Sequence, residues 1–270
     1  MHRAAHQLLD HPAIFPDPLA LRIIGKEAEM ALRGGKSRHI LPGATGLRAF
    51  LAVRSRFTED CLGEAMARGS GQYVLLGAGL DTFAYRDAHD PARLRIFEVD
   101  HPATQEWKRG RLRDADIAVP GSVFYAPVDF ERETIADGLA RAGFDFATPS
   151  FFAWLGVVPY LTRDAVMDTL RFVAEKNCRS SEIVFDYPEP ANTMGPAQRR
   201  AMRMLAARVS AVGEPFQTAF EPGEIKDALL ACGFSRIEDM DTTALNARYC
   251  SARHDAFALR GTAHIVRACT

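Results

Sequence analysis

The stretch Gln72-Tyr73-Val74-Leu75-Leu76-Gly77-Ala78-Gly79-Leu80-Asp81-Thr82 decides the fold. Its apolar run, Tyr73–Leu76, has no polar alternation, as expected of a strand covered on both faces. Gly77 and Gly79 then let the backbone turn sharply and approach a ligand with no Cβ in the way. Downstream, further apolar and β-branched runs follow at Leu94–Val99, Val123–Val128, Phe151–Leu155 and Ile183–Tyr187. Helical stretches are predicted between them, near 102–113, 131–142 and 163–178. Strands separated by helices imply right-handed crossovers and a mainly parallel sheet. Upstream, residues 1–70 read as helix. Leu19, Ile23 and Ile24 begin one apolar stripe, and Leu47, Phe50, Leu51, Phe57, Cys61, Leu62 and Ala65 recur at helical spacing within a longer helix over 44–68. Gly69 and Gly71 end it.

Residues 189–220 interrupt the alternation. They hold a predicted amphipathic helix, 196–212, with Met202, Leu205, Val209 and Val212 on one face. A helix over 222–232 and strands over 235–240 and 262–267 complete the chain. A final pair joined by a loop would run antiparallel. The expected architecture is α/β: five parallel strands plus an antiparallel terminal hairpin, with a helical N-terminal cap and a helical insertion. It is read as one domain over 1–270, with 1–70 as cap, 71–188 and 221–270 as core, and 189–220 as lid.

Composition narrows the class of function. The 270 residues carry 33 Lys+Arg against 34 Asp+Glu, and 47% are hydrophobic. A near-neutral chain without a clustered basic run is not expected to bind nucleic acid. No apolar run approaches the roughly 20 residues that span a bilayer, and the first residues lack the apolar core of a signal peptide. Neither a membrane nor an exported location is expected. Five scattered cysteines without a C-x-x-C pair read as reduced thiols in a cytoplasmic protein. His2 and His6 stand one helical turn apart, but the histidines form no metal-ligand pattern, and no metal is expected.

In doubly wound sheets ligands bind beyond the carboxyl ends of the strands. Three of the first runs end in acids. Asp81 follows the G-x-G where a dinucleotide fingerprint would continue towards a third small residue; Thr82 stands there instead. A carboxylate beside a diphosphate is unfavourable, whereas beside a cationic ligand it is harmless. Asp81 can also cap the next helix. Glu98 and Asp100 fall 21 and 23 residues after Gly77, where an acid accepts hydrogen bonds from ribose hydroxyls. Asp100, at the tip, is the stronger candidate, with a helix cap ahead of Pro102 as the alternative. Asp129 can accept the amino hydrogens of an adenine while the next backbone N–H, that of Phe130, donates to a ring nitrogen. It can equally cap a helix starting at Glu131. Taken together, the three strand-end acids point to an adenosyl ligand without phosphate.

The strings QYVLLGAGLDTFAYR, FEVDHPATQEWKR, VDFER and FFAWLGVVPYLTRDA, with HQLLDHPAIFPDPLALRIIG and VRSRFTEDCL before them, closely resemble the leucine carboxyl methyltransferase-like family. Its members are class I S-adenosylmethionine-dependent methyltransferases on a Rossmann-like sheet, with a bacterial branch assigned to O-methylation in secondary metabolism. The resemblance implies that Arg54 grips the cofactor carboxylate, with Arg56 as second choice. It implies that Gly77 and Gly79 line the methionine portion, that Asp100 holds the ribose, and that Asp129 with Phe130 holds the adenine. For both arginines the alternative is a solvated helix face paired with Glu59 or Asp60. One departure stands out: Leu155 occupies a place where many relatives carry a Glu. Trp154 and Tyr160 could offer π faces to a sulfonium, although Trp154 suits core packing equally well.

Methyl transfer from a sulfonium asks the protein to hold the reacting atoms in line and exclude water. An ionised carboxylate acceptor needs no general base, whereas a hydroxyl usually does. No catalytic base is assigned, and a small-molecule carboxylate or acidic hydroxyl is the expected acceptor. Residues 1–60 and 189–220 are expected to roof its pocket, with Tyr160, Met194 and Met202 on the substrate side beside Phe15, Met30, Met204 and Phe216. A nicotinamide-dependent oxidoreductase and a catalytically silent binder of the same nucleoside remain as alternatives. Oligomeric state is not legible.

Overall fold

A computed structural model of the chain describes residues 1–37, 39, 44–86, 90, 92–130, 132–177, 180–210 and 215–270. Within 196–210 it describes the backbone throughout, and the side chains apart from those of 197, 198, 201, 205, 208 and 209. The elements follow in chain order: α1 (His2–Leu9), α2 (Ala20–Ile24), α3 (Lys26–Arg33), α4 (Thr45–Ala67), β1 (Gln72–Leu76), α5 (Phe83–Arg86), β2 (Arg95–Asp100), α6 (Pro102–Asp114), β3 (Val123–Pro127), α7 (Ile135–Arg141) and β4 (Ser150–Trp154). There follow a single 3-10 turn (Val158–Tyr160), α8 (Arg163–Glu175), β5 (Glu182–Pro188), α9 (Pro196–Ser210), α10 (Pro222–Cys232), β6 (Arg236–Met240), α11 (Thr242–Tyr249) and β7 (Ala263–Cys269).

The strands form one seven-stranded sheet in the order β3-β2-β1-β4-β5-β7-β6. Strands β1 to β5 pair in parallel, with Tyr73 between Ile96 and Phe151 in register. β7 runs antiparallel to both β5 and β6, so β6 points the same way as β1 to β5 and β7 alone reverses. The terminal pair is antiparallel as expected, but it is not a simple hairpin. Its connection contains α11, and β7 slots between β5 and β6.

Alternation along the strands sends one residue to each face in turn. Tyr73, Leu75, Ala153 and Val184 pack with Phe50, Val53, Phe57, Cys61 and Leu62 of α4. Val74, Leu76, Phe152, Trp154 and Phe185 pack on the other face with Leu139 of α7, Val166 and Leu170 of α8, and Ile225 and Leu229 of α10.

The helix boundaries have local causes. Thr162 caps α8 through the Ala165 N–H. Thr134 and Asp137 close a capping box on α7, so that helix starts at Ile135 and Asp129 is not its cap; Glu131 lies outside the described residues. His101 caps α6 ahead of Pro102, which frees Asp100 from that role. Cys178, Val212 and the side chains of Leu205 and Val209, part of the expected apolar face of α9, also lie outside the described residues. No helix among them is long and apolar enough to cross a membrane. No group of three or more His, Cys, Asp or Glu among them is arranged to hold a metal.

Candidate active site at the carboxyl ends of the strands

β1 has β2 on one side and β4 on the other, so the order of the parallel strands switches between β1 and β4. Connections leaving in opposite directions open a crevice at such a point. A cavity of about 330 Å³ lies there, floored by Leu75–Thr82, Ala153 and Leu155. Leu51, Arg54 and Ser55 of α4 form a wall, and Met1–Ala4, Asp17, Ala20, Ile23 and Ile24 close it from above.

The glycine turn is built for close approach. Gly77 and Gly79 adopt φ of +69° and +43°, conformations that cost a side-chain-bearing residue. A Cβ on Gly77 would come within 2.6 Å of Val157 Cγ2. The N–H groups of Gly77 and Ala78 both donate to the Val99 carbonyl, at 2.8 and 3.2 Å. The Gly79 N–H donates to Asp100 Oδ2 at 2.7 Å. The turn after β1 is thereby tied to the tip of β2.

Two charge clusters border the cavity. In the first, Arg3 donates to Asp81 Oδ2 at 2.8 Å, to Asp17 Oδ2 at 2.5 Å and to Thr82 Oγ1 at 2.8 Å. Thr82 Oγ1 donates in turn to Asp17 Oδ2 at 2.7 Å. Asp81 also takes the Phe83 N–H at 2.8 Å, capping α5. Burial pushes the Asp81 carboxyl upwards, but Arg3, with help from Lys108, the Phe83 N–H and Arg86, outweighs it and holds the group at about 2. In the second cluster, Arg54 Nη1 donates to Asp186 Oδ2 at 2.8 Å. Asp186 Oδ1 accepts the Gly156 N–H at 2.6 Å. Gly156 has φ +72°, and a Cβ on it would stand 2.8 Å from Arg54 Nη1. The bare backbone therefore lets the guanidinium lie across the loop after β4. Arg54 Nε is buried with no partner among the described residues.

Five of the expected site residues, Arg54, Gly77, Gly79, Asp81 and Leu155, share this cavity. Asp100 sits beside it, bonded to Gly79. Along β2 and β3, the Val128 N–H donates to the Asp100 carbonyl at 3.0 Å, which brings half-buried Asp129 and the 54%-exposed Phe130 to the same crest.

Other expectations are corrected. Asp81 faces the cavity, but not as an isolated acid: it shares Arg3 with Asp17 and caps α5. Glu98 is fully buried and its Oε1 accepts from Lys108 Nζ at 2.8 Å. It lies one pleat repeat, roughly 6.6 Å, down the strand from Asp100, beneath α6 instead of at the crest. Arg56 points outwards, 48% exposed and paired with Asp60 at 2.8 Å. Trp154 is a core residue, 2% exposed, beside Phe185. Tyr160 packs near Phe216, with ring centres 5.3 Å apart. Met194 is buried outside the cavity, and half-buried Met202 stands on α9. Among the described residues, the cavity is roofed by the N-terminal segment alone, with no contribution from 189–220.

Arg3, Asp17 and Asp186 were not singled out from sequence, and His2 was weighed there only with His6 as a metal pair and set aside. An acid inside the otherwise apolar fifth run was a signal for Asp186, by the same strand-end logic that selected Asp100. Arg3 and Asp17 carry no such pattern.

This sheet order, with a reversed β7 and a crevice at the β1–β4 switch, defines the class I methyltransferase fold. The chain is similar over its whole length to a DUF574 family protein from Streptomyces avermitilis (15% identity, TM-score 0.55, 97% of that chain). It is also similar in fold to the S-adenosylmethionine-dependent methyltransferase SibL (15% identity, TM-score 0.51, covering 98% of this chain and 72% of that one). Residues 1–174 match the leucine carboxyl methyltransferase profile. Over 216 residues the chain is 33% identical to the Bacillus subtilis protein named "Putative S-adenosyl-L-methionine-dependent methyltransferase YktD", covering 80% of this chain and 71% of that protein. A similarly named Saccharopolyspora erythraea protein is 33% identical over 186 residues, covering 68% of this chain and 61% of that protein. The chain belongs to the leucine carboxyl methyltransferase family.

Proposed function

We propose that the chain is an S-adenosylmethionine-dependent methyltransferase that uses this crest as its cofactor site. The observation that carries the reading is the charge arrangement around the cavity. Among the side chains that pair there, two guanidinium groups, Arg3 and Arg54, face three carboxylates, Asp17, Asp81 and Asp186, one acid in excess. S-adenosylmethionine bears a sulfonium, an ammonium and one carboxylate, a net charge of plus one, whereas a dinucleotide brings a diphosphate that this cluster would repel. Arg54, which lines the cavity, suits the carboxylate of such a ligand. Asp100 and the pair Asp129 and Phe130 continue the crest in the direction of a ribose and an adenine.

When bound, S-adenosylmethionine supplies a methyl group already activated by its sulfonium. The chain's own contribution is placement. The rigid Gly77–Gly79 turn and Arg54 fix one end of the ligand, while Ala4, Ala20, Ile23, Ile24, Leu51 and Leu155 keep water from the crevice. The acceptor in this reading is an oxygen of a small-molecule carboxylate or acidic hydroxyl. An ionised carboxylate reacts without a base.

Calorimetric titration with S-adenosylhomocysteine and with NADH tests the cofactor assignment. Binding of the first without the second is expected; NADH binding alone would overturn the reading. Incubation with labelled S-adenosylmethionine and matched aromatic acids and phenols then tests the acceptor class, with label on nitrogen or carbon nucleophiles alone counting against O-methylation.

A further inference from the structure

We infer that Asp186 is a positioning residue for the cofactor's amino-acid end, acting through Arg54. This rests on the cofactor reading above. Asp186 lies in β5, the strand beyond β4, and its side chain is 8% exposed. One oxygen accepts a hydrogen bond from Arg54 Nη1 and the other accepts one from the Gly156 N–H. A single carboxylate thus joins α4, the loop after β4 and the end of β5. Arginine is a long side chain with much rotamer freedom, and freezing it at the moment of binding costs affinity. Asp186 pins one edge of the guanidinium in advance, and the bare Gly156 lets the plane lie flat over the loop. Arg54 also lines the cavity, with its side chain 15% exposed. A planar fork held along one side is ready to grip a carboxylate along another.

The arrangement also accounts for how Arg54 and Arg56, on one helix and two residues apart, differ. Arg56 is paired with an exposed acid on its own helix, whereas the partner of Arg54 comes from 132 residues further along the chain. Only the second pairing fixes a direction relative to the sheet.

The test compares S-adenosylhomocysteine with its decarboxylated analogue, by calorimetry on the full chain. Asp186→Asn keeps shape and one acceptor oxygen but cannot hold Arg54 and the Gly156 N–H together as an anion. It should weaken S-adenosylhomocysteine by about tenfold, the scale of one charged hydrogen bond, and leave the decarboxylated analogue unchanged within about twofold. In an Arg54→Ala background the same substitution should change neither affinity, and that double variant, with both charges removed, serves if the single one does not fold. Equal losses on both ligands, or additive losses in the double variant, would assign Asp186 to general stability and overturn the inference. No binding of S-adenosylhomocysteine by the unaltered chain would instead remove the cofactor reading on which it stands.

Discussion

The two halves of the crest are built differently. At β1, β4 and β5 the functional groups are enclosed and already matched: Arg3 with Asp17 and Asp81, Arg54 with Asp186. At β2 and β3 they are half-buried or exposed, with Asp100 held, among the described residues, by two backbone N–H groups and Phe130 open to solvent. Charges in an enclosed site are expensive to bury, so they are paid for by pairing while the protein folds. Groups that read a neutral nucleoside can stay in water until the ligand arrives. The difference shows which half must be rigid beforehand and which can adapt.

Substitutions sharpen that contrast. The largest effect is expected for Arg54→Ala, which leaves Asp186 buried beside a vacated space. Loss of one partner of such a pair costs about 3–5 kcal/mol, read as a fall in the urea midpoint, with S-adenosylhomocysteine affinity weakened but still measurable. An effect under about 1 kcal/mol, as for an exposed pair, would dissolve the distinction between the halves.

Acid acts next, and on the enclosed half. Asp81 titrates at about 2 in the folded chain against an ordinary 3.8, so the unfolded chain binds more protons between these values. Stability therefore rises with pH through this window and is lost as pH falls through it. Urea midpoints of the unaltered chain and of Asp81→Asn should converge on going from pH 5 to pH 2; a constant gap would contradict the Arg3 pairing.

On the open half, Asp100→Ala should weaken S-adenosylhomocysteine by about 1–3 kcal/mol while barely altering stability, and calorimetry beside thermal melting separates the two. Arg56→Ala should be almost silent, within about 0.5 kcal/mol in either measurement. A ligand-binding loss there equal to that of Arg54→Ala would reverse the assignment of the two arginines.

Much of this was legible because strands and their ends announce themselves. The apolar runs located all seven strands to within a residue or two, and the glycines with Asp100 and Asp129 marked the crest. The terminal pair was placed but its topology was not, since a loop of unknown course does not reveal that α11 interrupts it and that β7 inserts beside β5. Glu98 misled because alternation gives the face of a strand but not how far a helix covers it. Arg54 and Arg56 look alike in sequence; only the resemblance favoured the first, and the Asp186 pairing that separates them in the structure is a contact between segments with no local signature. The methionines of 189–220 were assigned to the pocket on flexibility and apolarity, properties that cores and pockets share.

Gly156 carries a consequence of its own. With its backbone at φ +72° and a would-be Cβ 2.8 Å from Arg54 Nη1, no residue with a side chain fits there while that guanidinium keeps its place. Inheritance at position 156 is therefore shackled to inheritance at position 54. A lineage that keeps the arginine must keep the glycine with it, and one that discards the arginine removes the steric bar while the positive φ still favours glycine there.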